Sequence, residues 1–157
     1  MQLVPMTEVE LTAYLALLIP DYAAEQVRAG KWSDDEAEDT AAAQIREELP
    51  SGVNTPDHYL YSLRVDEEPE PVGILWLGVI QRSAKPRAFI HDILIHEPYR
   101  RRGYASQALQ AAEVRARELG LDSIALHVFG ENHGARTLYD RLGYQVTDLW
   151  MVKELGE

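Results

Sequence analysis

Three consecutive arginines precede a glycine in this 157-residue sequence, at Arg100 to Gly103. Guanidinium groups form charge-assisted hydrogen bonds with phosphate oxygens, and a glycine lets the backbone approach such a group closely. Two familiar phosphate loops are excluded by spacing. No Lys-Ser/Thr pair follows Gly103, as a P-loop requires, and one glycine in the turn cannot form the G-x-G-x-x-G dinucleotide fingerprint. The turn is a candidate phosphate site of another kind, and the alternative is a solvated basic turn that opens a surface helix.

A strand and a helix are predicted on either side of this turn. Residues 88–95 are rich in β-branched and apolar side chains, which is typical of a mostly buried strand. Pro98 ends regular pairing because proline has no N–H. Small apolar residues recur at helical spacing from Ala105, and Gly120 ends that pattern. A helix N-terminus offers unpaired N–H groups and the positive end of a dipole, so this arrangement favours an anion.

Two motifs carry a resemblance to a known family. Arg100, Gly103 and Ala105 form R-x-x-G-x-A, which resembles the pyrophosphate-binding motif Q/R-x-x-G-x-G/A of the GNAT superfamily, the acyl-CoA-dependent N-acyltransferases. Residues 132–144 are similar to its N-x-x-A-x-x-L-Y-x-x-x-G-F/Y signature and begin 29 residues after Gly103. The order and the intervening helix and strand are those of the family. Close resemblance covers residues 88–144.

The resemblance implies an α+β fold with a twisted, mixed sheet of six to seven strands flanked by helices. In this fold the strands at 88–95 and 123–129 splay apart, and the pantetheine arm of acetyl-CoA lies between them, paired with strand backbone in the manner of an added strand. The diphosphate is expected at the turn. The implied cofactor-binding residues are Ile93, Leu94, Ile95, Arg100, Arg101, Arg102, Gly103, Tyr104, Ala105, Ser106 and Asn132.

Apolar periodicity predicts the remaining elements. Further strands are predicted at residues 2–6, 58–65, 72–80 and 144–152. Gly73 and Gly78 are expected to mark bulges or close backbone approach. Thr7 and Glu10 form a capping box, and Pro20 is expected to interrupt the helical pattern that follows. The predicted helices cover residues 7–19, 21–30, 33–49, 105–119 and 132–142.

The resemblance also implies a reaction, in which acetyl-CoA is the co-substrate and an amine is the acceptor. Tyr139 matches the family's tyrosine near the cofactor sulfur and is the candidate acid; the alternative is a core aromatic residue. His91 occupies a strand position where several members carry a glutamate or histidine, and histidine titrates near neutrality; the alternative is a paired core histidine. Asp92 is the rival base, or the group that binds an acceptor ammonium. Because the sequence has no cysteine, an acyl-cysteine route is excluded and direct attack in a ternary complex is expected.

Composition narrows the class of protein. A hydrophobic content of 46% and a charged content of 26% are ordinary for a soluble globular protein, and 157 residues predict one domain over residues 1–157. No apolar run approaches the ~20 residues that span a bilayer, and the first ten residues lack a secretory pattern. A cytoplasmic protein is therefore expected. No metal site is predicted, and a homodimer is compatible with the sequence. The net charge of −11 argues against nucleic-acid binding.

Acidic residues are concentrated in the first half of the chain. Residues 1–70 carry 16 acidic and four basic side chains, whereas residues 71–157 carry 10 and 11. This imbalance suggests a cationic amine acceptor with Glu25 and Asp92 as anchors, and a wall of its site built by residues 7–57; the alternative is a solvated acidic face. A non-catalytic acyl-CoA-binding sensor or interaction domain is the second functional interpretation.

Overall fold

A five-stranded mixed sheet forms the centre of the computed structural model, which describes residues 1–82 and 84–156. The strand order is β1-β2-β3-β4-β5; the first four strands pair antiparallel with one another, and β5 pairs parallel with β4. The strands are β1 (Gln2–Pro5), β2 (His58–Arg64), β3 (Gly73–Ile80), β4 (Arg87–Ile95) and β5 (Ile124–Leu126). The helices are α1 (Glu8–Arg28), α2 (Ala37–Glu48), α3 (Tyr104–Glu118) and α4 (His133–Arg141). The predicted mixed sheet flanked by helices is confirmed.

The first helix begins as predicted but continues further. The Thr7 hydroxyl accepts from the Glu10 N–H, and the Glu10 carboxylate accepts from the Thr7 N–H, which is the reciprocal capping box. The predicted interruption at Pro20 is wrong, because α1 runs through it to Arg28. A proline removes one intrahelical hydrogen bond, and burial of Ala23 and Gln26 beyond it holds the last turns in place.

Two helical layers bury the sheet. A core cluster joins α1 and α2 to β2 and β3, and its buried members are Met6, Leu11, Tyr14, Ile45, Leu49, Leu60, Ile74 and Trp76. The predicted small-residue stripe of α3 is confirmed by the burial of Ala108, Leu109, Ala112 and Ala116. Small side chains let this helix pack closely against β4. Both faces of the central strand β3 are covered, since its side chains from Gly73 to Gly78 are all buried.

The predicted strand count of six to seven is wrong, since the sheet formed by the described residues has five strands. The strand predicted at 123–129 is shortened to Ile124–Leu126, and residues 144–152 carry no strand pairing in the part of the chain that the structure describes. Apolar residues along a segment do not make a strand unless a neighbouring edge supplies hydrogen bonds. Large apolar side chains of this segment are exposed, including Trp150 at 92%.

The chain forms two compact units, Met1–Leu126 and the residues from His127 onward. The first contains the sheet with α1 to α3, and the second contains α4. One domain over residues 1–157 stays a prediction, since a compact unit is not by itself an independently folding domain. Among residues 1–82 and 84–156, no helix combines the length and apolar character needed to cross a membrane.

Candidate active site

The turn between β4 and α3 presents unpaired backbone donors. Arg101 and Gly103 have left-handed φ values of +65° and +79°. Gly103 is the N-cap of α3 and contributes no side-chain cap, so the N–H groups of Tyr104, Ala105 and Ser106 have no acceptor among the described residues. Three free donors at a helix N-terminus fit an anion such as a diphosphate.

The three arginines of the turn differ in their contacts. Arg100 Nε donates to the carbonyl of Ile95 at 2.9 Å, and Arg102 pairs with Glu68 at 2.8 Å. Arg101 is exposed and makes no side-chain hydrogen bond or ion pair in the described part of the chain. Exposed contacts of this kind contribute about 0–1 kcal/mol to protein stability, so the guanidinium groups of Arg100 and Arg102 can exchange them for contacts with a phosphate.

The carboxyl half of β4 has a free side. Its partner β5 is paired with Ala88, Phe89 and Ile90, and no described strand pairs with residues 91–95 on that side. The other side of this half is paired with β3 through Ile93, Leu94 and Ile95. A strand edge of this kind can accept an extended ligand whose amides replace a neighbouring strand.

A β-bulge in β4 brings the two candidate bases to one face of the sheet. Trp76 of β3 pairs with Asp92, but Leu77 pairs with Ile90, so His91 is the extra residue. Side chains normally alternate along a strand, and one extra residue cancels that alternation between neighbours. The His91 ring accordingly stacks on Trp76, with centroids 4.7 Å apart, while Asp92 contacts α1.

His91 lies in a tight, partly buried environment. Its Nε2 is enclosed and has no hydrogen-bond partner. A Cβ placed on Gly78 would lie 2.5 Å from this nitrogen, so glycine at position 78 makes room for the ring. The expectation of close approach at Gly78 is thereby confirmed, and at Gly73 a Cβ would meet the Leu94 carbonyl. Burial, with smaller contributions from His58 and Arg82, lowers the pKa of His91 to about 4.

A stability prediction follows from the lowered pKa of His91. An unfolded-state histidine titrates near 6.5, so between pH 6.5 and 4 the unfolded chain binds a proton that the folded chain does not. As the pH is lowered from 6.5 to 4, the free energy of unfolding should therefore decrease, and His91 should account for about 3 kcal/mol of this decrease. In His91→Asn, the free energy of unfolding should decrease less over the same pH range. Urea denaturation at pH 4.5–7.5 measures it, and parallel curves for both proteins would contradict the assignment.

Asp92 lies beside α1 and is bound by Tyr14. The Tyr14 hydroxyl donates to Asp92 Oδ2 at 2.5 Å. Burial raises the pKa of Asp92, whereas hydrogen bonds from Tyr14 and the Ile93 N–H oppose the rise. Partial burial and then the charge of Asp92 raise the pKa of Glu25, which places these two carboxylates in electrostatic contact. Two carboxyl groups with raised pKa values gain most from a cationic partner.

Glu48, His58 and His91 form another polar group, with ligand atoms within 4.8 Å of one another. The Trp76 indole N–H donates to His58 Nδ1 at 3.0 Å, so the proton of neutral His58 lies on Nε2, which faces Glu48 at 3.6 Å. Neither nitrogen of His58 then has a free lone pair for a metal ion. This donor set fits a hydrogen-bonded cluster rather than a metal centre.

The remaining candidates, Asn132 and Tyr139, belong to the second unit. Asn132 Oδ1 accepts from the Ala135 N–H at 3.3 Å, so Asn132 is the N-cap of α4 and the helix predicted at residues 132–142 begins where expected. Tyr139 is half-buried near the C-terminus of α4, and its ring centroid lies 5.6 Å from that of Tyr144.

Comparison with known proteins agrees with the two motifs. The model of the acetyltransferase (GNAT) family matches residues 16–144. The chain belongs to the GNAT acetyltransferase family. It is 40% identical over 153 residues to YycN of Bacillus subtilis strain 168, an uncharacterized N-acetyltransferase, covering 98% of this chain and 97% of YycN. It is 34% identical over 150 residues to YdgE of the same organism, another uncharacterized N-acetyltransferase, covering 96% and 95%.

Solved structures support the same fold for this GNAT acetyltransferase. The crystal structure of YycN superposes with a TM-score of 0.91 over 99% of each chain, at 40% identity. The aminoglycoside 6'-N-acetyltransferase AAC(6')-Ih of Acinetobacter baumannii superposes with a TM-score of 0.61 over 99% of each chain, and at 20% identity this shows the fold alone. Family membership decides for an acetyltransferase enzyme over a non-catalytic sensor.

Sequence reasoning missed two parts of this GNAT acetyltransferase's site. Tyr14 lies within the predicted helix and is buried, but its hydroxyl binds Asp92, which is 78 residues away in sequence. The Trp76–His58 hydrogen bond beneath His91 was also missed. No local signal marks either contact, because both depend on the pairing of distant elements.

Proposed function

We propose that this enzyme transfers the acetyl group of acetyl-CoA to the nitrogen of a cationic amine, on a small molecule or a peptide, by direct attack in a ternary complex. The observation that carries the proposal is the turn with its free N–H groups at Tyr104, Ala105 and Ser106, next to the free side of β4. The first feature fits the diphosphate of acetyl-CoA and the second fits its pantetheine amides.

The donor site uses the residues named by the motif. Backbone N–H groups from Arg101 to Ser106 hold the diphosphate, and the guanidinium groups of Arg100 to Arg102 add charge-assisted hydrogen bonds. The backbone of Ile93, Leu94 and Ile95 pairs with the pantetheine arm. For Asn132, capping of α4 is the structural role, and a contact with the arm is proposed beside it.

The acetyl transfer requires three proton movements. The acceptor ammonium loses a proton and its nitrogen attacks the thioester carbonyl carbon. The carbon–sulfur bond then breaks as the sulfur gains a proton, and the nitrogen loses its second proton, which returns to the group that protonated the sulfur. We assign the first proton to Asp92 because burial raises its pKa, whereas the pKa of His91 is lowered and its Nε2 is enclosed. His91 then holds the bulge by stacking on Trp76. Tyr139 donates a proton to the departing CoA thiolate.

A cationic acceptor is favoured by the acidic groups that face one another across α1 and β4. Asp92 and Glu25 both have raised pKa values, and Asp21 adds to the negative potential at each of them. An ammonium group relieves this repulsion, whereas an anionic acceptor increases it.

Removal of the Asp92 charge should have a large effect on turnover of cationic acceptors. Asp92→Asn is expected to lower kcat/KM about 100-fold, because it removes a partner of the ammonium and the proton acceptor. Glu25→Gln, at the exposed rim, is expected to raise KM about two- to fivefold. Release of CoA thiol measured against a cationic amine and against aniline, which is uncharged at pH 7, provides the comparison.

The matched control is Glu118→Gln, which removes one carboxylate from α3, where it pairs with Arg115. This variant should retain the kinetics of the parent enzyme. The proposed function itself is tested by a screen of polyamines, amino acids, aminoglycosides and N-terminal peptides for acetyl-CoA-dependent thiol release. Preference for an anionic acceptor, or equal losses in Asp92→Asn and Glu118→Gln, would refute the electrostatic assignment.

A further inference from the structure

Tyr14 belongs to the core by burial but makes a contact that an apolar residue cannot make. It is 5% exposed and packs in the cluster between α1, α2 and the sheet. Its hydroxyl donates to Asp92 Oδ2 at 2.5 Å. Burial and the neighbouring Asp92 charge raise the pKa of Tyr14, so the phenol keeps its proton and stays a donor. The core of this protein therefore supplies a fixed hydrogen bond to a candidate catalytic carboxylate.

The ionisation of Asp92 is set by a small group of neighbours. From α1, Tyr14 favours the carboxylate, whereas the charges of Asp21 and Glu25 disfavour it. From β4 itself, the Ile93 N–H favours the carboxylate. From β3, the residue opposite is the uncharged Trp76, whose N–H is committed to His58. Tyr14 is thus the side chain that offsets the burial of this charge.

We propose that Tyr14 is a positioning residue for the acceptor: its hydroxyl keeps Asp92 ionised and fixes Oδ2, so that Oδ1 is the oxygen presented to the acceptor ammonium. The inference rests on the proposed role of Asp92. The bulge at His91 is what makes it possible, because this extra residue turns Asp92 towards α1. Tyr14 acts on the acceptor through Asp92 and not by direct contact.

A first experiment reads Asp92 without any substrate. In protein labelled with ¹³C at aspartate carboxyl carbons, the Asp92 signal is identified by its loss in Asp92→Asn. Tyr14→Phe keeps the ring and removes the donor, so the titration midpoint of Asp92 should move up by about one to two pH units. An unmoved midpoint overturns the role of Tyr14.

A second experiment reads turnover. In Tyr14→Phe, the acid limb of the pH profile of kcat/KM for the preferred cationic acceptor should move to higher pH by the same interval. At a pH above the acid limbs of both the variant and the parent enzyme, their rates should agree within about threefold. Tyr22→Phe is the matched control, because it removes another α1 hydroxyl, one that donates to Gln44 at 3.0 Å. This control should leave the limb in place, as a purely structural loss would.

The two readouts separate the proposals from each other. A shifted Asp92 midpoint with an unshifted acid limb keeps the effect of Tyr14 on Asp92 but refutes Asp92 as the acceptor anchor. Should Tyr14→Phe fail to fold, 3-fluorotyrosine incorporated at position 14 provides a stronger donor of similar size. It should lower the Asp92 midpoint, and a raised or unchanged midpoint would refute the proposal.

Discussion

Gly103→Val is expected to weaken acetyl-CoA binding about 1000-fold while the protein remains folded. The reason is the proposed approach of the diphosphate to the backbone N–H groups at the start of α3, which a branched side chain would block. Loss of two charge-assisted hydrogen bonds, at about 1.5–3 kcal/mol each, corresponds to this range. Calorimetric titration with acetyl-CoA gives the affinity, and thermal denaturation gives the stability of the variant.

The opposite end of the same helix offers a matched control. Gly120 has φ +78°, close to the +79° of Gly103, and a Cβ added at either position meets no atom within 4 Å. Valine at a left-handed position costs about 1–3 kcal/mol in backbone strain, so both variants should lose similar stability. Only the Gly103 variant should lose affinity. Equal affinities of the two variants for acetyl-CoA would refute the proposal that the diphosphate binds at this turn.

Tyr139→Phe is expected to lower kcat by about 10²–10⁴-fold, the range typical of one general acid, with little change in the affinity for acetyl-CoA. The substitution removes one hydroxyl and keeps the ring that packs near Tyr144. Without the phenol, the CoA thiolate departs unprotonated, which is the less favourable leaving group. Steady-state thiol release with the preferred acceptor measures kcat, and calorimetry measures affinity.

Tyr144→Phe is the matched control for this prediction. Its ring centroid is 5.6 Å from that of Tyr139, so it reports the effect of losing a neighbouring hydroxyl. Turnover should be retained in Tyr144→Phe. If Tyr139→Phe also keeps its turnover, Tyr139 is a packing residue and the proton comes from another group.

The predictable part of this protein is its local chemistry. The capping box at Thr7, the glycine at the start of α3 and the cap at Asn132 each depend on residues a few positions apart, and the structure has all three. The buried face of α3 follows from helical periodicity in the same way. Short-range geometry is fixed by the backbone, so a sequence pattern is enough to predict it.

The unpredicted part depends on contacts between distant segments. The bulge at His91 is defined by its register against Trp76 and Leu77, and the partner of Asp92 comes from α1. Residues 144–152 are rich in apolar side chains that suit a strand but form no strand pairing in the part of the chain that the structure describes, where the sheet has five strands. Pattern predicts which residues suit a strand, whereas pairing decides which of them form one.

The bulge at His91 divides β4 into two halves that pair with β3 in different registers. Residues before it and residues after it are each in register with β3, but the two halves are offset by one position. If the whole strand paired in the register of its first half, His91 would lie opposite Trp76, and Asp92 and every later side chain would turn to the opposite face. A deletion of His91 would instead make the ladder continuous, with Asp92 still opposite Trp76 but without the histidine ring beside it. The single unpaired residue therefore lets two neighbouring polar side chains share one face of the sheet, and sequence comparison within this family should treat a gap here as the loss of one of them.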